Sequence, residues 1–366
     1  NSVISAQAEL NQKLDFITPG LSIKVFASTT RNSYSGQQRS TSPFYYSISY
    51  YDKLTDTYTL RELNPNGGRE DLDYTAEGNQ VSSSYYYEAS LNYNRTFREK
   101  HNITGLLVGV LRENKSGGAS SIQTSLPARN IGLSGRFTYA YDGRYFAEAN
   151  FGYNGSENFA PGNQFGFFPA YSVAWNIAEE PIIKKNLKWM NMFKLRYSYG
   201  KVGSDKLKIG DTVHRFPYLY TIKDDGNGWT WSDYGSPDNV YTGMHYTQLA
   251  SNNVTWEIAT KHDAGVDLSL FNDKLTATVD YFHEQRDGIY MERQYLPGIV
   301  GVNSNPKANV GSVLSKGFDG NFAYKQKIGK VNLTVRGNFT YSKNEILEKD
   351  EMNAVYPYQK EAGYRV

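Results

Sequence analysis

The sequence predicts an all-β chain: a transmembrane, antiparallel, up-and-down β-barrel of which about twelve strands are present. Three observations predict it. Apolar and polar residues alternate with period two along much of the chain. The connections between alternating segments sort by length, short then long. Tyrosine is abundant, at 31 of 366 residues, and an amphipathic ring of that kind suits the headgroup level of a bilayer.

The alternation is clearest at 331–341. Val331, Leu333, Val335, Phe339 and Tyr341 fall on one face of a strand, and Asn332, Thr334, Arg336, Asn338 and Thr340 on the other. The same split occurs at 145–153, 193–199 and 275–281. Alternating segments are predicted near 2–16, 21–31, 83–95, 102–112, 131–141, 145–154, 167–178, 192–203, 254–270, 275–285, 315–327 and 331–343. Many approach the ten residues or so that a tilted membrane strand needs. The segment 102–112 is ambiguous, because Leu106, Leu107, Val108 and Val110 form a nearly continuous apolar run.

Short turns are expected after every odd segment: Pro19-Gly20, 96–101, Asp142-Gly143, 179–191, Asn272-Asp273 and Gly329. Asp142-Gly143 is a type I′ hairpin signal, since both central residues need positive φ. The stretch 179–191 is the longest and has room for a helical turn. Long polar connections follow every even segment, at roughly 32–82, 113–130, 155–166, 204–253, 286–314 and from 344 onward. A membrane barrel sorts its connections this way, with short periplasmic turns and long outer loops; a soluble sandwich has no reason to.

Composition narrows the function. The charges are 39 basic and 37 acidic, a net of +2, without the basic surplus that a nucleic-acid partner requires. Cysteine is absent, so there is no disulfide framework and no thiolate metal site. Mean hydropathy is −0.60 and no apolar run is long enough for a membrane helix. A barrel is compatible with both facts, because only every second strand residue meets lipid. The face carrying Glu148, Asn150, Lys194, Arg196, Asp263, Asp267, Asp280 and Arg336 is expected to turn to a hydrated lumen or a plug.

No catalytic or metal site is expected. The five histidines show neither HExxH nor helical i, i+4 spacing, and there is no GxSxG elbow or phosphate loop. Asp71, Asp73 and Glu77 resemble the start of a calcium loop, but Ala76 stands where an EF-hand needs Gly and Ser82 where it needs Glu. Binding residues are sought in the loops instead. Trp229 and Trp231, with Asn227, Asp233 and Tyr234, lie in the polar stretch GNGWTWSDY. Their rings suit stacking on sugars or anchoring of peptides, and the neighbouring polar groups suit hydroxyls or amides. Tyr45, Tyr46, Tyr50 and Tyr51 form a second aromatic group. Packing of loops on one another is the alternative use of these rings.

Several blocks resemble the SusC/RagA-like TonB-linked outer-membrane transporters of Bacteroidetes. They are the stretch Ser125 to Glu180, with NGSENFAPGNQFGFF at its centre, MFKLRYSYGKVGSD at 192–205, the stretch 254–290, and NVGSVLSKGFDG at 309–320. The resemblance implies a barrel of about 22 strands around an internal plug. This chain would then supply roughly half of the strands as an internal fragment (residues 1–366), without the plug or the closing strands. It implies energised uptake of glycans or peptides, a SusD-like surface lipoprotein as lid, and a TonB complex contacting the missing N-terminal region. It also implies outer-membrane lipid around the barrel and no cofactor. A passive porin or adhesin barrel and a soluble carbohydrate-binding β protein remain the alternatives from the residues alone.

Overall fold

A computed structural model describes residues 1–119, 121–231, 239–294, 296, 298–300, 304–352 and 356–366. In chain order the strands begin with β1 (Ser2–Lys13), β2 (Leu21–Ser40), β3 (Tyr46–Asp52), β4 (Thr57–Glu62), β5 (Asp73–Phe97) and β6 (His101–Ser116). A short helix α1 (Ile122–Ser125) leads to β7 (Ala128–Tyr141), β8 (Tyr145–Ser156) and β9 (Phe165–Asn176). Helix α2 (Pro181–Asn186) leads to β10 (Met190–Ser204), followed by β11 (Leu207–Ile209), β12 (Thr212–His214), β13 (Thr221–Trp231) and β14 (Asn239–Gln248). The last are β15 (Glu257–Leu270), β16 (Leu275–Glu292), β17 (Lys307–Ile328) and β18 (Val331–Glu348). Twelve of these form one sheet in the order β1-β2-β5-β6-β7-β8-β9-β10-β15-β16-β17-β18, and β3–β4, β11–β12 and β13–β14 are separate hairpins. The twelve segments expected from alternation are the twelve strands of this sheet.

By contacts the chain divides into two compact units. One comprises Asn1–Ala6, Thr29–Ser84 and Asn114–Pro127. It contains the β3–β4 hairpin and ties of its own, such as Tyr34 Oη donating to Glu77 at 2.9 Å and Gly117 N donating to Val81 O. The other comprises Gln7–Ser28, Tyr85–Glu113 and Ala128–Val366, and holds every strand from β7 to β18.

Register explains why this sheet has two unlike faces. Across β9, β10, β15, β16, β17 and β18, direct partners run Val173, Tyr197, Ala264, Tyr281, Phe318 and Tyr341. One row along, they run Trp175, Leu195, Val266, Val279, Gly320 and Phe339. Direct partners share a face, so these rows build a continuous apolar band. The intervening row on the other face runs Ala174, Arg196, Gly265, Asp280, Asp319 and Thr340. Leu195, Val279 and Leu333 are 37%, 40% and 42% exposed. A water-soluble domain covers such a band, since contiguous exposed apolar surface rarely exceeds a few hundred Å².

The short turns lie where expected. Asp142 and Gly143 have φ of 53° and 67°, the type I′ pair, and Arg144 N donates to Tyr141 O at 2.9 Å. The 179–191 connection holds α2, started by Pro181, whose missing N–H costs nothing at a helix N-terminus. Strand lengths need correction at the other end of the sheet. β2 reaches Ser40 rather than 31, β5 starts at Asp73 rather than 83, β16 runs on to Glu292 and β17 starts at Lys307. The long connections shorten accordingly. The β2 and β5 extensions are polar on both sides, so their ladders leave no hydrophobic period to read; those of β16 and β17 carry Ile289, Tyr290, Val310 and Val313, half-buried or buried without a strict alternation.

Candidate functional site

The polar face is knitted by ion pairs that cross strands. Arg196 on β10 donates through Nε to Asp267 Oδ2 on β15 and through Nη2 to Asp280 Oδ2 on β16, both at 2.9 Å. Thr278 Oγ1 donates to Asp267 Oδ1 at 3.2 Å. To reach Asp280, the guanidinium must pass over β15 at the residue directly between, which is Gly265. A Cβ there would come within 2.1 Å of Asp280 Oδ1 and 2.8 Å of Arg196 Cζ. The glycine is therefore the gap through which the pair forms. Nearby, Arg136 Nη2 and Asn150 Nδ2 donate to opposite oxygens of Glu148 at 2.8 and 2.7 Å. Lys194 Nζ lies 4.5 Å from the centre of the Phe146 ring.

The register places all eight residues named for the polar side on a single face. Glu148 pairs with Ser172, Ser172 with Ser198 and Ser198 with Asp263. Lys194 pairs with Asp267, and Arg196 aligns with Asp280 through Gly265. Arg336 sits opposite Ala323, in step with Asp319 opposite Thr340. Asn150 lies two residues beyond Glu148 on β8.

The second feature is an aromatic core built by the loops at the long-loop end. Phe159, Leu207 and Val254 are fully enclosed, together with Phe168, Trp256 and Tyr290. Ile209 and Ile258 pack against them. The Phe159 and Phe168 rings each sit 5.2 Å from the Trp256 ring. Phe159 comes from the turn between β8 and β9, Leu207 from the β11–β12 hairpin, and Trp256 from the approach to β15. Polar bonds pin the same segments. Asp205 Oδ2 accepts from Asn130 Nδ2 and Ser156 Oγ, both at 2.7 Å. Asn158 Nδ2 donates to Asp205 O at 3.1 Å, and Trp256 Nε1 to Gln164 O at 3.3 Å.

His214 closes the β11–β12 hairpin and accepts from Lys307 Nζ at 3.2 Å. Burial, and next the Lys307 charge, hold its imidazole below the usual range, against a weaker opposing pull from Glu292. Sequence reasoning did not bring these residues together: Phe168, Val254 and Trp256 fell in expected strands, and Phe159, Leu207, His214, Tyr290 and Lys307 in the long connections. The one available signal was the set of isolated apolar residues, Phe159, Leu207 and Val254, set in otherwise polar stretches.

The predicted binding residues divide by location. Trp229 stands on β13, 68% exposed, directly paired with the exposed Tyr241 of β14. Trp231 ends β13, opposite Asn239; the side chains of Trp231 and Asn227 lie outside the described residues, as do Asp233 and Tyr234 entirely. Tyr45, Tyr46, Tyr50 and Tyr51 are exposed, the last three on β3. Among the candidate calcium ligands, Asp73 pairs with Arg69 at 3.2 Å and Glu77 accepts from Tyr34.

A two-faced sheet of twelve antiparallel strands points to one kind of protein, and the comparison agrees: residues 3–364 match the family described as TonB dependent receptor-like, beta-barrel. The chain belongs to this family. Among relatives of the TonB-dependent receptors, P3 of Formosa agariphila is 26% identical over 304 residues, covering 76% of this chain and 28% of its own length. SusC of Bacteroides thetaiotaomicron is 26% identical over 227 residues, covering 61% of this chain and 22% of its own length. The chain thus spans about a quarter of the length of these relatives. Among solved structures, the RagAB peptide importer superposes with a TM-score of 0.66 at 19% identity, over 99% of this chain and 39% of that one. The outer membrane transporter YddB of Escherichia coli gives 0.57 at 10% identity, over 94% and 42%. At these identities the structural likeness establishes the receptor-barrel fold.

Proposed function

We propose that this chain is part of the wall of an outer-membrane importer that takes up glycan or peptide nutrients with energy delivered by TonB. The observation that carries this reading is the exposure of the apolar band around Leu195, Val279 and Leu333 while the opposite face carries the Arg196 network. Lipid satisfies the first face and a hydrated lumen or plug the second. The family match and the kinship with SusC support uptake of nutrients. In this reading residues 1–366 belong to one barrel domain, and the plug, the TonB-contacting region and the remaining strands lie in sequence beyond it. A SusD-like lipoprotein covers the long-loop end. Trp229 and Tyr241 offer an aromatic platform to the substrate; Asn227, Trp231, Asp233 and Tyr234, of the same sequence stretch, are the further candidates for substrate contact.

Uptake by cells carrying the whole receptor tests this. Labelled oligosaccharide or peptide should accumulate only when TonB is functional. Trp229→Ala should raise the half-saturating concentration about tenfold, the worth of one aromatic anchor, with surface expression unchanged. Accumulation that persists without TonB would mean a passive pore.

A further inference from the structure

The chain is close to neutral, but its charge is unevenly placed. The connections at 177–189, 271–274 and 329–330, which join β9 to β10, β15 to β16 and β17 to β18, carry Lys184, Lys185, Lys188, Lys274 and Lys330 against Glu179, Glu180 and Asp273. Two of the three acids are paired with cations, and Asp273 keeps its charge. Glu179 pairs with Lys184 at 2.6 Å. Glu180 accepts from Tyr145 Oη at 2.5 Å, Trp175 Nε1 at 3.0 Å and Arg144 Nη1 at 3.3 Å. Asp273 accepts from the Ser269 hydroxyl. Lys185, Lys188, Lys274 and Lys330 are left exposed, with no ion pair among the described residues.

Apolar groups accompany these ammoniums. Helix α2 turns Ile183 and Leu187 inward and leaves Ile182 74% exposed. Trp189 stacks on Phe271 with ring centres 5.5 Å apart, and both rings are exposed. Phe271 N donates to Trp189 O, so the β9–β10 and β15–β16 connections form one continuous ledge. An indole, a phenyl ring and an isoleucine beside unpaired lysines, at the edge of an apolar band, have the composition of an interfacial anchor.

We propose that this short-turn rim is a binding surface for anionic phospholipid headgroups. The four free ammoniums meet lipid phosphates, and Ile182, Trp189 and Phe271 sit at the acyl–headgroup boundary. The net positive charge of these connections makes the surface selective for anionic over zwitterionic lipid. This rests on the proposed reading of the apolar band as lipid-facing.

The test uses the whole receptor reconstituted in phosphatidylcholine bilayers doped with spin-labelled phosphatidylglycerol or phosphatidylcholine. The motionally restricted lipid shell should favour phosphatidylglycerol, and raised salt should weaken that preference. The quadruple variant Lys185→Gln/Lys188→Gln/Lys274→Gln/Lys330→Gln should lower the preference by about threefold or more while keeping the same restricted-lipid count. Equal association of both labels with the wild type, or a variant that keeps the preference, overturns the proposal. A variant with unchanged lipid preference but lost binding to soluble anionic peptidoglycan fragments reassigns the lysines to that polymer and overturns it too. Failure of the receptor to hold any restricted lipid shell counts against the lipid-facing band itself, a separate result.

Discussion

At the residue scale, glycine and histidine positions carry sharper consequences than the charges they serve. Gly265 exists so that Arg196 and Asp280 can meet across β15. Replacing Gly265 with Val forces the guanidinium and carboxylate apart on a half-exposed face. Overpacking and the loss of one ion-pair arm together should cost about 2 kcal/mol. Urea unfolding of the receptor from lipid vesicles measures this, and Gly265→Ala should fall between Val and wild type. His214 gives a pH dependence. Its folded imidazole is held below the ordinary value, so the unfolded hairpin binds the proton first as pH falls. The β11–β12 hairpin should be fully protected above the ordinary imidazole range and lose protection below it. Amide hydrogen exchange over 207–214, compared at about pH 7.5 and about pH 5 and divided by the intrinsic rate at each pH, should show smaller protection factors at the lower pH. His214→Gln should flatten the difference.

At the scale of elements, the loop core decides whether the long connections are ordered. Trp256 touches Phe159 and Phe168 and also caps Gln164. Trp256→Ala should remove about 3 to 5 kcal/mol of local stability, enough to expose the 205–253 connection to protease while the strand ladder survives. Limited proteolysis followed by heat-modifiability on a gel separates the two effects; cleavage at the wild-type rate would show that the core does not hold the loops. Face assignments such as Arg196 against Leu195 were legible because one face of the sheet is apolar and the other polar, which writes period two into each strand. The long-loop ends of β2 and β5 were not, since residues there are polar on both faces and leave no pattern. The core was hidden for another reason: Phe159, Leu207, Val254 and Tyr290 come from segments far apart in sequence, and no local signal says that they converge. Trp229 stood out as an aromatic in a polar loop, but its partner Tyr241 depends on a β13–β14 register interrupted by bulges, which composition does not encode.

At the scale of the whole molecule, every functional reading reduces to which face meets lipid. The exposed band, the parity of the connections, the polar network and the lysine rim have a common explanation if odd residues of β18 look into a bilayer and even ones into water. These 366 residues contain no cysteine, so no native thiol of this stretch competes with an introduced one. Single cysteines introduced at each position from Val331 to Tyr341, in the whole receptor in bilayers, can carry a nitroxide whose collisions with oxygen and with a water-soluble nickel chelate are measured. The account predicts period-two behaviour, oxygen-rich at Val331, Leu333, Val335, Phe339 and Tyr341 and less so between them. Labels at Leu333 and Val335 shielded from oxygen and nickel alike would place that face in a dry protein interior and contradict it.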